Sequence, residues 1–366
     1  MPSAAPRSGP ILVTGAAGFA GGHLLELLAR DGLTLVAWHR PGGTPPPSAP
    51  AIEPHAVTST VEMRPVTSTN EPGTSTIEAR PGTTAIDPRA ITSTVDPRPV
   101  PSVVWEAVDL LDRPAVRAAL DRVRPSAVYH CAGAAHVGRS WDKIESTFAI
   151  NVRGTFNVLE GLRDAGVAAR VLVPSSAMVY AAADKMLRED HPLVPASPYA
   201  LSKLAQELAG CGDPGGPDVL IARAFNHFGP RQDPWFVASG FARRIADIEA
   251  GRWAPEIAVG NLDSRRDLTD VRDTVRAYRL ILERGTPGRP YNVCSGRAMA
   301  VRELLEMLLS RAKVPIRITV DPARYRPNDL PLLVGDPSRI RDELGWTTRI
   351  SLEQAVDDLL EFWRSQ

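Results

Sequence analysis

The chain opens with a short apolar run, Ile11-Leu12-Val13, then a set of small residues, then an amphipathic stretch carrying Leu24, Leu25, Leu27 and Leu28. A short continuous apolar run suits a strand buried on both faces, and leucines three and four apart mark one face of a helix. The same alternation recurs along the chain. Further strands are expected at Leu33 to Trp38, Trp105 to Val108, Ala127 to Cys131, Val171 to Pro174 and Val219 to Ala224. Helices are expected around Val116 to Val123, Ile150 to Leu162 and Tyr199. Repeated strand–helix units of this kind indicate an α/β fold with a Rossmann-like, doubly wound parallel sheet.

Between the second and third strands the pattern lapses. Residues 42–102 contain no aromatic residue and no cysteine, and residues 41–101 hold 13 of the 34 prolines. A degenerate unit recurs there, as Thr58-Ser59-Thr60-Val61-Glu62, Thr74-Ser75-Thr76-Ile77-Glu78 and Thr92-Ser93-Thr94-Val95-Asp96. Such a composition buries too little apolar surface to offset its chain entropy. It reads as a disordered low-complexity insertion, and its removal is expected to leave a folded, active protein.

Composition narrows the class. At 366 residues, with 42 basic and 42 acidic side chains, the chain offers no electrostatic case for nucleic acid or an anionic membrane surface. Three scattered cysteines, Cys131, Cys211 and Cys294, argue against a disulfide framework or a structural zinc site and fit a reducing cytoplasm. No apolar run is long enough to span a bilayer, and the early first strand leaves no room for a leader. A soluble cytoplasmic protein is expected, with no metal.

The small residues after the first strand are Gly15, Gly18 and Gly21, a GxxGxxG spacing framed by strand and helix. The first glycine allows the tight turn, the second lets backbone approach a pyrophosphate, and the third lets helix and strand pack closely. The helix N-terminus, with Phe19, then faces the phosphate. NADP(H) or NAD(H) is the implied cofactor. An acidic residue at the end of the second strand would favour NAD; this chain has His39-Arg40, where the arginine either holds a 2′-phosphate or is a solvated loop residue. Asp109-Leu110 is placed at the end of the third strand, where the carboxylate either accepts from adenine or serves as a cap. Ala132, in His130-Cys131-Ala132-Gly133, gives the small side chain needed beside a cofactor ribose, and Cys131 reads as a packing residue.

Tyr199 and Lys203 stand four apart, on one helix face, with Ser176 23 residues before the tyrosine. A nearby ammonium can lower a phenol pKa from its usual value near 10, so the pair is suited to proton transfer. Further on come Phe225-Asn226-His227-Phe228-Gly229-Pro230, Arg265-Arg266-Asp267, Tyr291-Asn292-Val293-Cys294-Ser295-Gly296 and Arg326-Pro327-Asn328-Asp329.

Together these motifs resemble the extended short-chain dehydrogenase/reductase family, in its GDP-sugar-modifying branch. The resemblance covers the chain except residues 42–102. It implies a cofactor domain in residues 1–225, interrupted by the insertion. Residues 226–366 would mainly form a smaller α/β substrate domain, with some segments returning to the first. It also implies that Ser176, Tyr199 and Lys203 are catalytic, with Tyr199 and Lys203 also touching cofactor. Asn226, Arg266, Arg326 and Asp329 would hold a GDP-sugar substrate. Homodimers through the helices flanking Tyr199 are a further expectation from the family.

Within that branch, dehydratases place an acid two positions after the catalytic Ser/Thr, and this chain has Met178. The 3,5-epimerising members place cysteine directly after the serine and histidine after Gly-Pro; here stand Ala177 and Arg231. Reduction of the C4 ketone of GDP-4-keto-6-deoxy-D-mannose, giving GDP-D-rhamnose or GDP-6-deoxy-D-talose, needs only the triad. A nucleotide-sugar 4-epimerase needs no more, and a 4,6-dehydratase would need another carboxylate such as Glu189 or Asp190.

Overall fold

A computed structural model describes residues 9–43, 103–210, 215–325 and 330–366. One compact unit comprises Met1–Pro46 and Pro101–Gln366. The expected insertion, apart from Gly42 and Gly43, and the substrate residues Arg326 and Asp329 lie outside the described residues.

The chain runs β1 (Ile11–Thr14), α1 (Phe19–Ala29), β2 (Leu35–His39), β3 (Val103–Ala107), α2 (Arg113–Val123), β4 (Ala127–His130), α3 (Ile144–Phe148), α4 (Gly154–Asp164), β5 (Arg170–Ser176), α5 (Pro198–Gly210) and β6 (Asp218–Ala224). It continues with β7 (Asn226–Phe228), α6 (Val237–Glu249), β8 (Glu256–Val259), β9 (Arg265–Asp270), α7 (Val271–Arg284), β10 (Pro290–Val293), β11 (Ala298–Ala300) and α8 (Val301–Leu309). The last elements are β12 (Arg317–Val320), β13 (Leu332–Leu333), α9 (Ser338–Leu344) and α10 (Leu352–Arg364).

Seven strands form one sheet in the order β10-β6-β5-β4-β1-β2-β3, and every pairing in it is parallel. The apolar runs are explained by cover on both faces. Val13, Leu35, Leu172 and Leu220 point into one core with Leu24, Leu25 and Leu28 of α1 and Val275 and Ile281 of α7. Their neighbours Leu12, Val36, Val171 and Val219 point into the other, with Val116 and Leu120 of α2 and Val158 and Leu162 of α4. Burying each such side chain is worth about 1.5–3 kcal/mol. Strand order reverses between β1 and β4, which opens a crevice at their carboxyl ends. A separate core joins Ala242 and Ile245 of α6, Leu304 and Leu308 of α8 and Val356 and Leu359 of α10 to Ile257 and Val259 of β8.

Two local readings need correction. The third strand runs from Val103 to Ala107 rather than Trp105 to Val108, so Asp109 and Leu110 lie in the turn after it. The expected helix at Ile150 to Leu162 begins at Ile144 and passes through a π-helical turn, Ala149–Arg153, before α4. Asn151 lies buried in that turn, where its side chain binds Ala134 in the loop after β4.

Candidate active site

The glycine turn follows from steric limits at two positions. Gly15 has φ +64°, and a Cβ there would meet Ala132 Cα and N at 2.6 Å. A Cβ on Gly21 would come within 2.3 Å of the Gly15 carbonyl oxygen. Gly18 caps α1 without a side-chain hydrogen bond, so the first N–H groups of the helix are not satisfied by a capping side chain. Phe19 is stacked on His227 with ring centroids 5.9 Å apart. This cradle fits a dinucleotide pyrophosphate, and Gly133 fits its ribose: a Cβ there would stand 3.8 Å from Lys203 Nζ. Arg40 lies exposed just beyond β2, and its carbonyl oxygen accepts from Gly43. Asp109 uses one oxygen to accept from the Leu111 N–H at 2.9 Å, and the α2 cap is Asp112 instead. Ala132 N donates to Thr14 Oγ1 at 3.3 Å.

Ser176 ends β5 and leads into a tight turn of Ala177–Val179. Its Oγ accepts from the Met178 N–H at 3.2 Å, which leaves its own proton to donate, and the Tyr199 phenol is its hydrogen-bonding neighbour. Tyr199 and Lys203 sit one turn apart on α5, with Lys203 Nζ 6.0 Å from the Tyr199 ring centroid. All three are almost buried, at 8%, 9% and 8% exposure, so only an edge of each meets the crevice.

The electrostatics differ from the sequence reading. Burial pushes the Tyr199 phenol pKa upward, and the opposing influence is a hydrogen bond with the Ser176 side chain rather than Lys203. The phenol is therefore protonated at neutral pH, as a proton donor must be. Lys203 donates to Pro174 O at 2.9 Å and to Gln206 Oε1 at 2.8 Å, leaving one ammonium N–H free of these partners. Burial lowers its pKa to about 8, with Cys131 and Glu207 acting in the opposite sense.

The neighbouring positions are chemically silent. Ala177 is buried in an apolar cluster, with Met178 packed against it. Arg231, at φ +71°, grips Glu26 of α1 in a bidentate pair at 2.6 and 3.0 Å and is thus turned toward that helix. Glu189 is held by the Asn292 N–H at 2.9 Å and faces Arg339, while Asp190 is 75% exposed beside Arg188. Burial pushes the Cys131 thiol up to about 12, so it stays protonated. Among the remaining expected substrate residues, Asn226 is exposed at the start of β7. Arg266 of β9 donates to the carbonyls of Arg265 and Leu330. Among the described residues no group of His, Cys, Asp or Glu could hold a metal.

Several polar residues of the site carried no motif in the sequence. Asn151 exchanges hydrogen bonds with both backbone groups of Ala134, at 2.7 and 3.2 Å, and donates to Ser202 at 2.9 Å. His130, Thr155, Gln206 and Thr14 form a buried set behind Lys203. The only signal available was polar residues at positions where the helical and strand patterns predict apolar ones.

The GDP-mannose 4,6 dehydratase family matches residues 83–359. A GDP-6-deoxy-D-mannose reductase from Pseudomonas aeruginosa is 38% identical over 247 residues, covering 66% of this chain and 81% of that protein. A GDP-mannose 4,6 dehydratase from Drosophila melanogaster is 27% identical over 286 residues, covering 69% and 70%. The structure of RMD from Pseudomonas aeruginosa complexed with NADPH superposes with a TM-score of 0.72 at 29% identity, covering 98% of this chain and 99% of that one. A Thermus thermophilus UDP-glucose 4-epimerase complexed with NAD gives 0.72 at 25% identity, covering 97% and 99%. The chain belongs to the GDP-mannose 4,6 dehydratase family, within the extended short-chain dehydrogenases/reductases.

Proposed function

We propose that this protein reduces the C4 ketone of GDP-4-keto-6-deoxy-D-mannose to a GDP-6-deoxyhexose, using NADPH or NADH. GDP-D-rhamnose is the foremost product, and GDP-6-deoxy-D-talose would follow from reduction of the opposite face. The observation that carries this reading is the pairing of a complete Ser176–Tyr199–Lys203 set with apolar Ala177 and Met178 beside it. Reduction needs one proton donor and no base for C5. The reduced nicotinamide, when bound, supplies the hydride for C4. Tyr199 donates its proton to the C4 oxygen, and the Ser176 O–H would turn from Tyr199 to hold that oxygen in place. Lys203 offers its third N–H to the nicotinamide ribose.

Similarity to a GDP-6-deoxy-D-mannose reductase, and to RMD solved with NADPH, supports NADPH as the preferred cofactor, with Arg40 at the 2′-phosphate. An Arg40→Ala variant should lose roughly tenfold or more in NADPH affinity, the scale of a charged hydrogen bond, while NADH binding stays unchanged. Residues 226–366 would mainly form the GDP-sugar lobe, with Asn226, Arg266, Arg326 and Asp329 against the substrate. Residues 1–225 would hold cofactor. The return of β10 to the large sheet supports the expected crossing of segments between the two. No described helix is long and apolar enough to cross a membrane, which is compatible with a cytoplasmic enzyme. The exposed apolar side chains of α3, α4 and α5 support a homodimer.

The direct test offers enzymatically generated GDP-4-keto-6-deoxy-D-mannose with NADPH or NADH and identifies the deoxysugar formed. Absence of cofactor oxidation overturns the proposal. A 4-epimerase uses the same triad, and the structural similarity to UDP-glucose 4-epimerase keeps that reading in view. NAD that co-purifies and does not exchange would favour it. The 4,6-dehydratase alternative is weakened by the engagement of Glu189 with Asn292 and Arg339.

A further inference from the structure

Behind Lys203 lies a chain of buried polar side chains that runs across the sheet. Lys203 Nζ donates to Gln206 Oε1 at 2.8 Å, and Gln206 Nε2 donates to Thr155 Oγ1 at 2.6 Å. Thr155 Oγ1 is 2.5 Å from Asn151 O and 3.0 Å from His130 Nε2. His130 Nδ1 is 2.9 Å from Thr14 Oγ1, which accepts from the Ala132 N–H at 3.3 Å. Gln206, Thr155, His130 and Thr14 are each at most 2% exposed.

The direction of every bond follows by elimination. A lysine ammonium can only donate, so Gln206 turns its oxygen to Lys203 and its amide nitrogen to Thr155. A peptide carbonyl can only accept, so the Thr155 hydroxyl proton points to Asn151. His130 Nε2 must therefore carry a proton toward Thr155, and because burial keeps the ring neutral, its unprotonated Nδ1 accepts from Thr14. The tautomer is fixed without any freedom to reverse. Thr14 and His130 are register partners at the ends of β1 and β4, where the strand order reverses.

We infer that Gln206 is a positioning residue for Lys203: the one-way chain Gln206–Thr155–His130–Thr14 anchors the ammonium to the strand ends that carry the cofactor turn. Gln206 touches neither substrate nor cofactor and acts through Lys203. The inference rests on the reading above only in taking Lys203 as the group that holds the cofactor ribose.

The groups facing Lys203 are Tyr199 and Glu207 on α5, Cys131 and His130 at the end of β4, and, beyond Tyr199 and Cys131, Tyr278 of α7. Glu207 is bound by Arg223 of β6 at 2.8 Å. Burial pushes the Cys131 thiol up to about 12 and His130 down to about 3, and it raises both tyrosines. Burial brings Lys203 down to about 8, inside the range pH 7 to 10.

The test uses the full-length protein and two variants of similar size, Gln206→Leu and Gln206→Glu. NADPH dissociation constants are measured by fluorescence from pH 7 to 10, alongside kcat and KM for the keto sugar. Wild-type affinity should fall as Lys203 loses its proton. A carboxylate at 206 stabilises the ammonium and should move that fall to higher pH by about one pH unit; loss of the acceptor in Gln206→Leu should move it lower. Opposite displacements are not produced by general loosening of the fold. Displacement of both variants in the same direction, or of neither, overturns the inference. NADPH binding with the expected displacements but no keto-sugar reduction by wild type would reject the reductase reading alone.

Discussion

At the scale of single residues, what surrounds Tyr199 decides the charge of its phenol. Burial keeps the phenol protonated, and Ser176 is its hydrogen-bonding neighbour. A Tyr199→Phe variant should bind NADPH normally and turn over at least about a hundredfold slower, the usual scale for a positioned acid. Equal turnover in a stopped-flow assay would remove Tyr199 from the reaction. His130 makes a second prediction, on stability. Its folded pKa of about 3 lies below the unfolded value of 6.5, so the unfolded chain binds the extra proton first. Stability is full above pH 6.5 and is lost as pH falls, by about 2 kcal/mol at pH 5 from this residue. Urea midpoints at pH 7 and pH 5 should differ less in His130→Asn than in wild type. Both residues were visible in the sequence, but only Tyr199 stood out there. A lone histidine at the end of a strand gives no sign of two threonine partners, one 116 and one 25 positions away.

At the scale of elements, α5 has two duties that its sequence separates. Its inner face carries Tyr199, Lys203, Gln206 and Glu207, all buried. Glu207 accepts from Ser175, beside Ser176, and from Arg223, which fastens α5 to β5 and β6. Its outer face leaves Leu201 and Leu208 at 48% and 65% exposure, two turns apart, with Phe156 of α4 and Ile144 of α3 also exposed nearby. A double Leu201→Lys, Leu208→Lys change should convert a homodimer to monomer in light scattering, with little effect on the monomer's urea midpoint. A mass unchanged by the double substitution, or already monomeric in the wild type, would rule this face out as a subunit contact. The helical period of this face was legible in the sequence. The π-helical turn at Asn151 was not, because one inserted residue leaves no mark in an apolar pattern.

For the whole molecule, the parallel pairing of β2 with β3 limits what may be removed between them. Leu35 pairs with Val103 and His39 with Ala107, so the chain must return along the length of a strand, about 14 Å. Removing residues 42–102 entirely, as first expected to be tolerated, would leave Arg40 and Pro41, which reach only about 10 Å. Removing 47–100 leaves nine residues, 40–46 and 101–102, with a reach of about 30 Å. That shorter protein should keep its melting temperature and NADPH affinity, and a loss of either would give the segment a structural role. Local patterns were enough for the doubly wound sheet, the glycine turn and the placing of Tyr199 and Lys203 on one helix, because period and steric need act within a few residues. Three features depended on tertiary structure. They are the protonated state of Tyr199, the turning of Arg231 onto Glu26, and the chain that ties Lys203 to Thr14. Each depends on burial and on partners distant in sequence, and folding alone brings those together.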